Sequence, residues 1–295
     1  MQANIGTETP PTPSVSGPRI RRLWGLFHKL LARLSKSHCS WFNISFTPPI
    51  MELPFGLILR WGERVRIEEA VAVQMARAAG MPVPKVLCYG ENPNNSFQMI
   101  SILMTRLPGW PLVILSDSFS ADDEESWLAP LGKCLDSMRK WESPFGGEQI
   151  CSAIGTSISS QRVPRHTMGP FKSEKELHAY LLAPASTNGF ASLDEYRRSM
   201  SEARKIIDVP HHIVFTHGDL KTHNILIDEN YCLFGFLDWE SAGWCPEYWE
   251  FTTAVRFVRG SWWHQAMSKL GGSQYVAESE CDRLLNKLTI DSYAG

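Results

Sequence analysis

His217-Gly218-Asp219-Leu220-Lys221-Thr222-His223-Asn224 decides the reading of this chain. A short apolar run over 213–216 precedes it and reads as a strand. A hairpin follows, predicted over 225–228 and 231–237 around Glu229-Asn230. Asn224 lies five residues after Asp219, and Asp238 closes the hairpin fourteen residues after Asn224. An Asp, an Asn and a second Asp in this order form a phosphoryl-transfer pattern. A hydroxyl attacking a γ-phosphate needs a carboxylate to orient it and take its proton. Mg²⁺ is a hard cation that takes oxygen ligands, which an Asn amide oxygen and a second carboxylate supply.

Working outward, residues 57–60 read as a strand ending at Arg60, and 66–79 as a helix with Gly80 at its C-terminal cap. Pro82-Val83-Pro84-Lys85-Val86 excludes helix and leads into a strand ending at Tyr89-Gly90. A turn over 92–96 and an apolar strand over 97–105 follow, broken by Pro108-Gly109. Beyond that break the pattern is helical. Ser120 caps a helix over 121–141 whose first turn carries Asp122, Asp123, Glu124 and Glu125. Residues 143–170 read as loop, and 173–182, 193–207, 246–258 and 278–288 as helices.

In this order the elements resemble the aminoglycoside phosphotransferase family, in the form of its fungal members, with a protein-kinase-like fold. The resemblance spans about residues 50–265 and rests on His217-Gly-Asp-Leu-x-x-x-Asn224, on Ile102-Leu-Met-Thr-Arg-Leu-Pro-Gly109 and on Asp238-Trp-Glu240 with the helix after it. It implies a two-lobed α+β fold with an N-lobe over 41–106 and a mainly helical C-lobe over 107–295; ahead of it, a Pro-, Ser- and Thr-rich tail over 1–18 reads as disordered and 19–40 as a basic helix. It also implies that ATP, or another nucleoside triphosphate, and Mg²⁺ sit in the cleft. Carried over by position, Asp219 is the catalytic base, and Asn224 and Asp238 are the metal ligands. Met104, Thr105 and Arg106 lie beside the adenine. Glu69, with Glu68 as the alternative, partners the strand cation, while His217 is a structural anchor and Glu240 holds the loop. The implied activity is phosphoryl transfer to a hydroxyl of a small molecule.

Two positions depart from the family. Arg60 stands where a phosphate-binding lysine is expected, and a guanidinium fork is not equivalent to an ammonium. No glycine-rich phosphate loop occurs in 37–55. Both departures favour the alternative of a non-catalytic kinase-like protein that binds a nucleotide or another ligand. Trp239, Trp244, Tyr248 and Trp249, interleaved with Glu240, Glu247 and Glu250, either pack into the core or receive an amine-bearing acceptor by charge and cation–π contact.

Composition agrees with a globular chain: 43% hydrophobic and 20% charged residues over 295, with a net charge of −2 that leaves no footprint for nucleic acid. Seven cysteines without a CxxC pair or zinc-finger spacing read as reduced thiols of a cytoplasmic protein. No apolar run reaches membrane-spanning length, and residues 1–18 lack the apolar core of a secretory signal. Residues 1–51 nevertheless hold six bases against one acid, Glu8. Within them, Ile20, Leu23, Trp24, Phe27, Leu30, Leu31 and Leu34 share one face of a helix. That stripe is expected to pack on the body and leave the bases in water, with membrane-surface contact or organelle targeting by the same helix as alternatives.

Overall fold

The computed structural model describes residues 5–46, 49–92, 99–115, 121–160, 162–163 and 166–289. In chain order the elements are α1 (Pro18–Phe42), β1 (Ile50–Leu53), β2 (Leu57–Gly62), α2 (Ile67–Ala78), β3 (Val86–Asn92), β4 (Met99–Thr105), β5 (Trp110–Pro111), α3 (Leu112–Leu115) and α4 (Ala121–Arg139). Then come β6 (Cys151–Ser152), β7 (Ile158–Ser159), β8 (Thr167–Met168), α5 (Glu174–Leu182), α6 (Leu193–Arg204), β9 (Ile213–Thr216), β10 (Ile225–Ile227), β11 (Leu233–Phe236), β12 (Gly243–Pro246), α7 (Trp249–Val255), α8 (Trp262–Lys269) and α9 (Val276–Leu288). The turn expected at 92–96 lies outside the described residues beyond Asn92, as do the Ser120 cap and the Asp122 side chain. The helix expected from residue 246 begins only at Trp249. Gly243–Pro246 is instead a strand, because β9, thirty residues upstream in register, supplies its hydrogen bonds.

Two compact units result, Met1–Trp127 with His223–Glu240, and Leu128–Thr222 with Ser241–Gly295. The first unit carries an antiparallel sheet of order β1-β2-β4-β3. Met51, Leu53, Leu59 and Leu103 form a core cluster in it, against which Leu31 and Ala32 of α1 pack. The β11-β10-β5 sheet belongs to the same unit. Gly235 of β11 lies against Leu107 and Pro82, where a Cβ would displace the Leu107 side chain, and Phe236 N donates to Pro82 O at 2.9 Å. Residues 5–17, the described part of the expected tail, have no regular secondary structure. They are tied by Gly6 N to Ala79 O at 3.0 Å and Ser16 N to Tyr89 Oη at 2.9 Å.

The expected packing of α1 is corrected by the structure. The helix does lie on the sheet, but its buried residues are Gly25, His28, Ser35 and Cys39, and of the apolar stripe Leu31 alone packs against the core cluster. The backbones of α1 and β3 meet at Gly25 and Gly90, where a Cβ on either residue would strike the other chain segment. His28 Nδ1 lies 2.7 Å from Ser101 Oγ, Ser35 Oγ donates to Glu52 O at 2.6 Å, and Arg21 pairs with Glu91 at 3.2 Å. Burial lowers the His28 pKa to about 4. Small residues and specific bonds thus select the packed face. The stripe residues Ile20, Leu23, Trp24, Phe27, Leu30 and Leu34 are exposed, Leu23 by 67% and Leu30 by 57%.

In the second unit, β12 pairs with both β6 and β9. Phe215 of β9 lies between Trp141 and Trp244 of β12, with ring centroids 5.2 Å away in a tilted pair and 5.0 Å away edge to face. Arg162 is buried with hydrogen bonds to Thr252, Thr253 and Asp282 and its guanidinium 3.8 Å over the Trp249 ring, so the buried charge is paired and hydrogen-bonded.

Candidate active site

In the second unit, β9 delivers the chain into the His217–Thr222 loop. Gly218 holds φ +78°, and a Cβ there would collide with the Ser241 carbonyl, so the turn requires glycine. The buried Glu250 at the start of α7 accepts from His217 N at 2.6 Å and from Gly218 N at 3.2 Å. Burial pushes its carboxyl pKa up, against the opposing pull of His217 and the two amides. His217 Nδ1 accepts from Asp219 N at 3.3 Å. Asp219 is buried, and its Oδ1 lies 2.6 Å from Lys221 Nζ. Neither tie was expected from the sequence: Lys221 was signalled only by its place two residues after Asp219, and Glu250, 33 and 32 residues beyond the two amides it binds, was grouped with an amine receptor.

In the first unit, the β10–β11 register pairs Ile225 with Phe236, and Leu237 N donates to Asn224 O at 2.8 Å. Asn224 and Asp238 therefore sit at the same end of one hairpin. Asp238 has φ +62°, a left-handed conformation that Asp tolerates better than most residues. Its Oδ1 accepts from Arg60 Nη2 at 2.7 Å, and the same nitrogen donates to Glu240 Oε2 at 3.0 Å. Arg60 Nε lies 3.2 Å from Glu69 Oε1. Glu68 pairs instead with Arg66 at 3.0 Å, which settles the choice left open in the sequence in favour of Glu69 as Arg60's ion-pair partner. Arg60 thus faces three carboxylates. Burial alone would lower its pKa, but Glu69, Asp238 and Glu240 outweigh it and the net shift is upward. Burial raises the Glu69 carboxyl to about 8, with Arg60 opposing and the two other carboxylates adding to the rise.

The residues expected beside the adenine lie at the end of β4. Met104 is buried. Thr105 N donates to Lys85 O at 3.0 Å and Arg106 N to Gly56 O at 2.7 Å, so both amides are engaged within the unit. Arg106 pairs with Glu52 at 3.2 Å on the surface. The amine-receptor reading of the aromatic stretch is overturned: Trp239, Trp244, Tyr248 and Trp249 are all buried, and the Trp249 face is taken by Arg162.

Among the described residues no group of three or more His, Cys, Asp or Glu side chains forms a metal cage. The Asn224 and Asp238 pair still fits Mg²⁺, which takes one or two carboxylates and completes its shell with phosphate and water oxygens. Two observations agree. Three carboxylates face one guanidinium, and Glu69 Oε2 is buried without a hydrogen-bond partner.

Comparison with solved structures finds the same fold at low identity. Aminoglycoside phosphotransferase APH(4)-Ia aligns at 15% identity, covering 88% of this chain and 93% of that one, with a TM-score of 0.58. A thermostable mutant of APH(4)-Ia, in ternary complex with ADP and hygromycin B, aligns at 14% identity, 88% and 94% coverage and a TM-score of 0.56. The GDP and kanamycin complex of an APH(2") enzyme aligns at 12%, covering 90% and 88%, with a TM-score of 0.54. A search of curated proteins finds no sequence match. The sequence itself matches the phosphotransferase enzyme family, APH, over residues 56–279, a span that takes in Arg60 and Glu69, the Asp219 loop, the Asn224–Asp238 hairpin and Glu250. With more than half of the chain inside that match and the kinase-like fold around it, this chain belongs to the phosphotransferase enzyme family.

Proposed function

We propose that this protein transfers the γ-phosphoryl group of ATP, or of another nucleoside triphosphate, to a hydroxyl of a small molecule. In this reading Asp219 orients the hydroxyl and takes its proton, and Lys221 at 2.6 Å holds the Asp219 carboxylate in place. Glu250 fixes the loop through the His217 and Gly218 amides. Asn224 and Asp238 hold Mg²⁺, which when bound neutralises charge on the phosphates. Arg60, held by Glu69, supplies the positive charge of the first unit toward phosphate. The observation that supports the reading is the hairpin register, with Asn224 and Asp238 at the same end of one hairpin and Asp238 beside Arg60 and Glu240. The solved relatives crystallised with hygromycin B or kanamycin support a polyhydroxylated acceptor, amine-bearing as those are.

One observation favours the second reading, a non-catalytic nucleotide- or ligand-binding protein: Arg60 bonds directly to Asp238, a proposed metal ligand. Calorimetric titration with ATP and GTP, with and without Mg²⁺, separates the two. The kinase reading expects Mg²⁺-dependent binding. It also expects slow γ-phosphate release to water that Asp219→Asn reduces by ~10²–10⁴-fold while binding persists. Metal-independent binding with no phosphate release in the parent protein would establish the second reading.

A further inference from the structure

The outward face of α1 has no cover among the described residues. It points to a function separate from phosphoryl transfer, and we propose that it docks this protein onto an anionic membrane surface. Leu23, Phe27, Leu30 and Leu34 form an exposed ridge, with Ile20 beside it. The opposite side of the helix is fixed to the sheet through Gly25, His28 and Ser35, so the ridge is presented as a ready-folded helix and needs no ordering on contact. An apolar ridge of this kind on a folded protein marks an interaction surface.

Charge identifies the partner. The helix carries Arg19, Arg21, Arg22, Lys29, Arg33 and Lys36 and no acidic residue. At the helical repeat of 100° per residue, Arg22, Lys29, Arg33 and Lys36 line one flank of the ridge, and among the described residues only Arg21 of these bases pairs with a carboxylate, Glu91. Apolar ridge, basic flank and low overall hydropathy are the features of a helix lying in the headgroup region. Trp24 and Trp41, both exposed, suit the same depth. A second copy of this chain is disfavoured, because a two-fold contact would set one basic flank against another. Among the described residues no helix is long and apolar enough to cross a membrane, so the contact lies on the surface.

The test uses the full chain and vesicles of phosphatidylcholine alone or with 30% phosphatidylserine, read by co-sedimentation, with light scattering on the free protein. The expected result is binding to the serine-containing vesicles only, weakened by salt. Leu23→Glu with Leu30→Glu abolishes it without moving the melting temperature, since both side chains are already in water. Arg22→Gln, Lys29→Gln and Arg33→Gln together lower partitioning on the order of a hundredfold, as each base at an anionic surface contributes about fivefold. This second variant leaves the ridge intact and keeps the proposal testable if the first misfolds. No binding of the parent to anionic vesicles at low salt overturns the proposal, as does binding that neither variant weakens. A dimer that Leu23→Glu with Leu30→Glu dissociates, without vesicle binding, reassigns the face to a copy of the chain.

Discussion

Arg60→Ala tests the electrostatic logic of the first-unit cluster. Arg60 is only 14% exposed and lies 2.7 Å from Asp238, 3.0 Å from Glu240 and 3.2 Å from Glu69. Removing one partner of a buried ion pair costs about 3–5 kcal/mol, because the remaining charge is left uncompensated. Three carboxylates depend on Arg60, yet the losses do not add. Glu69 is already pushed up to about 8, and loss of the opposing guanidinium raises it further, so it escapes by taking a proton. Asp238 also keeps contact with water. The expected loss therefore stays near about 3–5 kcal/mol, a fall in melting temperature of about 6–20 °C. Scanning calorimetry at pH 7.5 and low salt reads it directly. Arg60→Lys retains the charge but not the fork and should lose less. Mg²⁺ without nucleotide should stabilise Arg60→Ala more than the parent, since a cation can then replace the missing charge. A variant melting within about 2 °C of the parent, with the same response to Mg²⁺, would refute the reasoning.

Glu69 gives a pH prediction. Its folded pKa, about 8, lies above its ordinary value of 4.5, so the folded state binds the extra proton between those limits. Its contribution to stability is thus present at low pH and lost as pH rises from about 4.5 to about 8, and Glu69→Gln should flatten that slope in denaturant melts. Glu250→Ala leaves the His217 and Gly218 amides without an acceptor, at about 1–3 kcal/mol for each. Glu250→Gln, which keeps an acceptor oxygen, should be milder, and chemical denaturation compares the two. Asp238→Ala should weaken Mg·nucleotide binding more than metal-free binding; equal losses in calorimetry would make Asp238 purely structural. Gly218→Ala forces a Cβ into the Ser241 carbonyl at φ +78° and should destabilise by more than about 1 kcal/mol in the same melts.

The sequence by itself determined what is local. The strand, loop and hairpin that carry Asp219, Asn224 and Asp238 were legible because short-range pairing sets the hairpin register. The helical character of α1 was legible from its period, but the face it buries was not. Apolar residues ordinarily select the packed side, whereas here close backbone approach at Gly25 and Gly90, and bonds from His28 and Ser35, select the opposite one. The small residues Gly25, Ala32, Ser35 and Cys39, with His28 on the same face, carried that signal, and a hydrophobicity pattern does not weigh it. Glu69 was expected beside Arg60, but only the tertiary structure added the other two partners of Arg60. Asp238 and Glu240 lie 178 and 180 residues away in sequence, and a long charged side chain at a strand end states a need for counter-charge without saying where it comes from. The same holds for Glu250, whose tie to the His217 and Gly218 amides spans more than thirty residues. Buried polar groups must find partners, and which segments supply them is set by chain packing rather than by spacing along the chain.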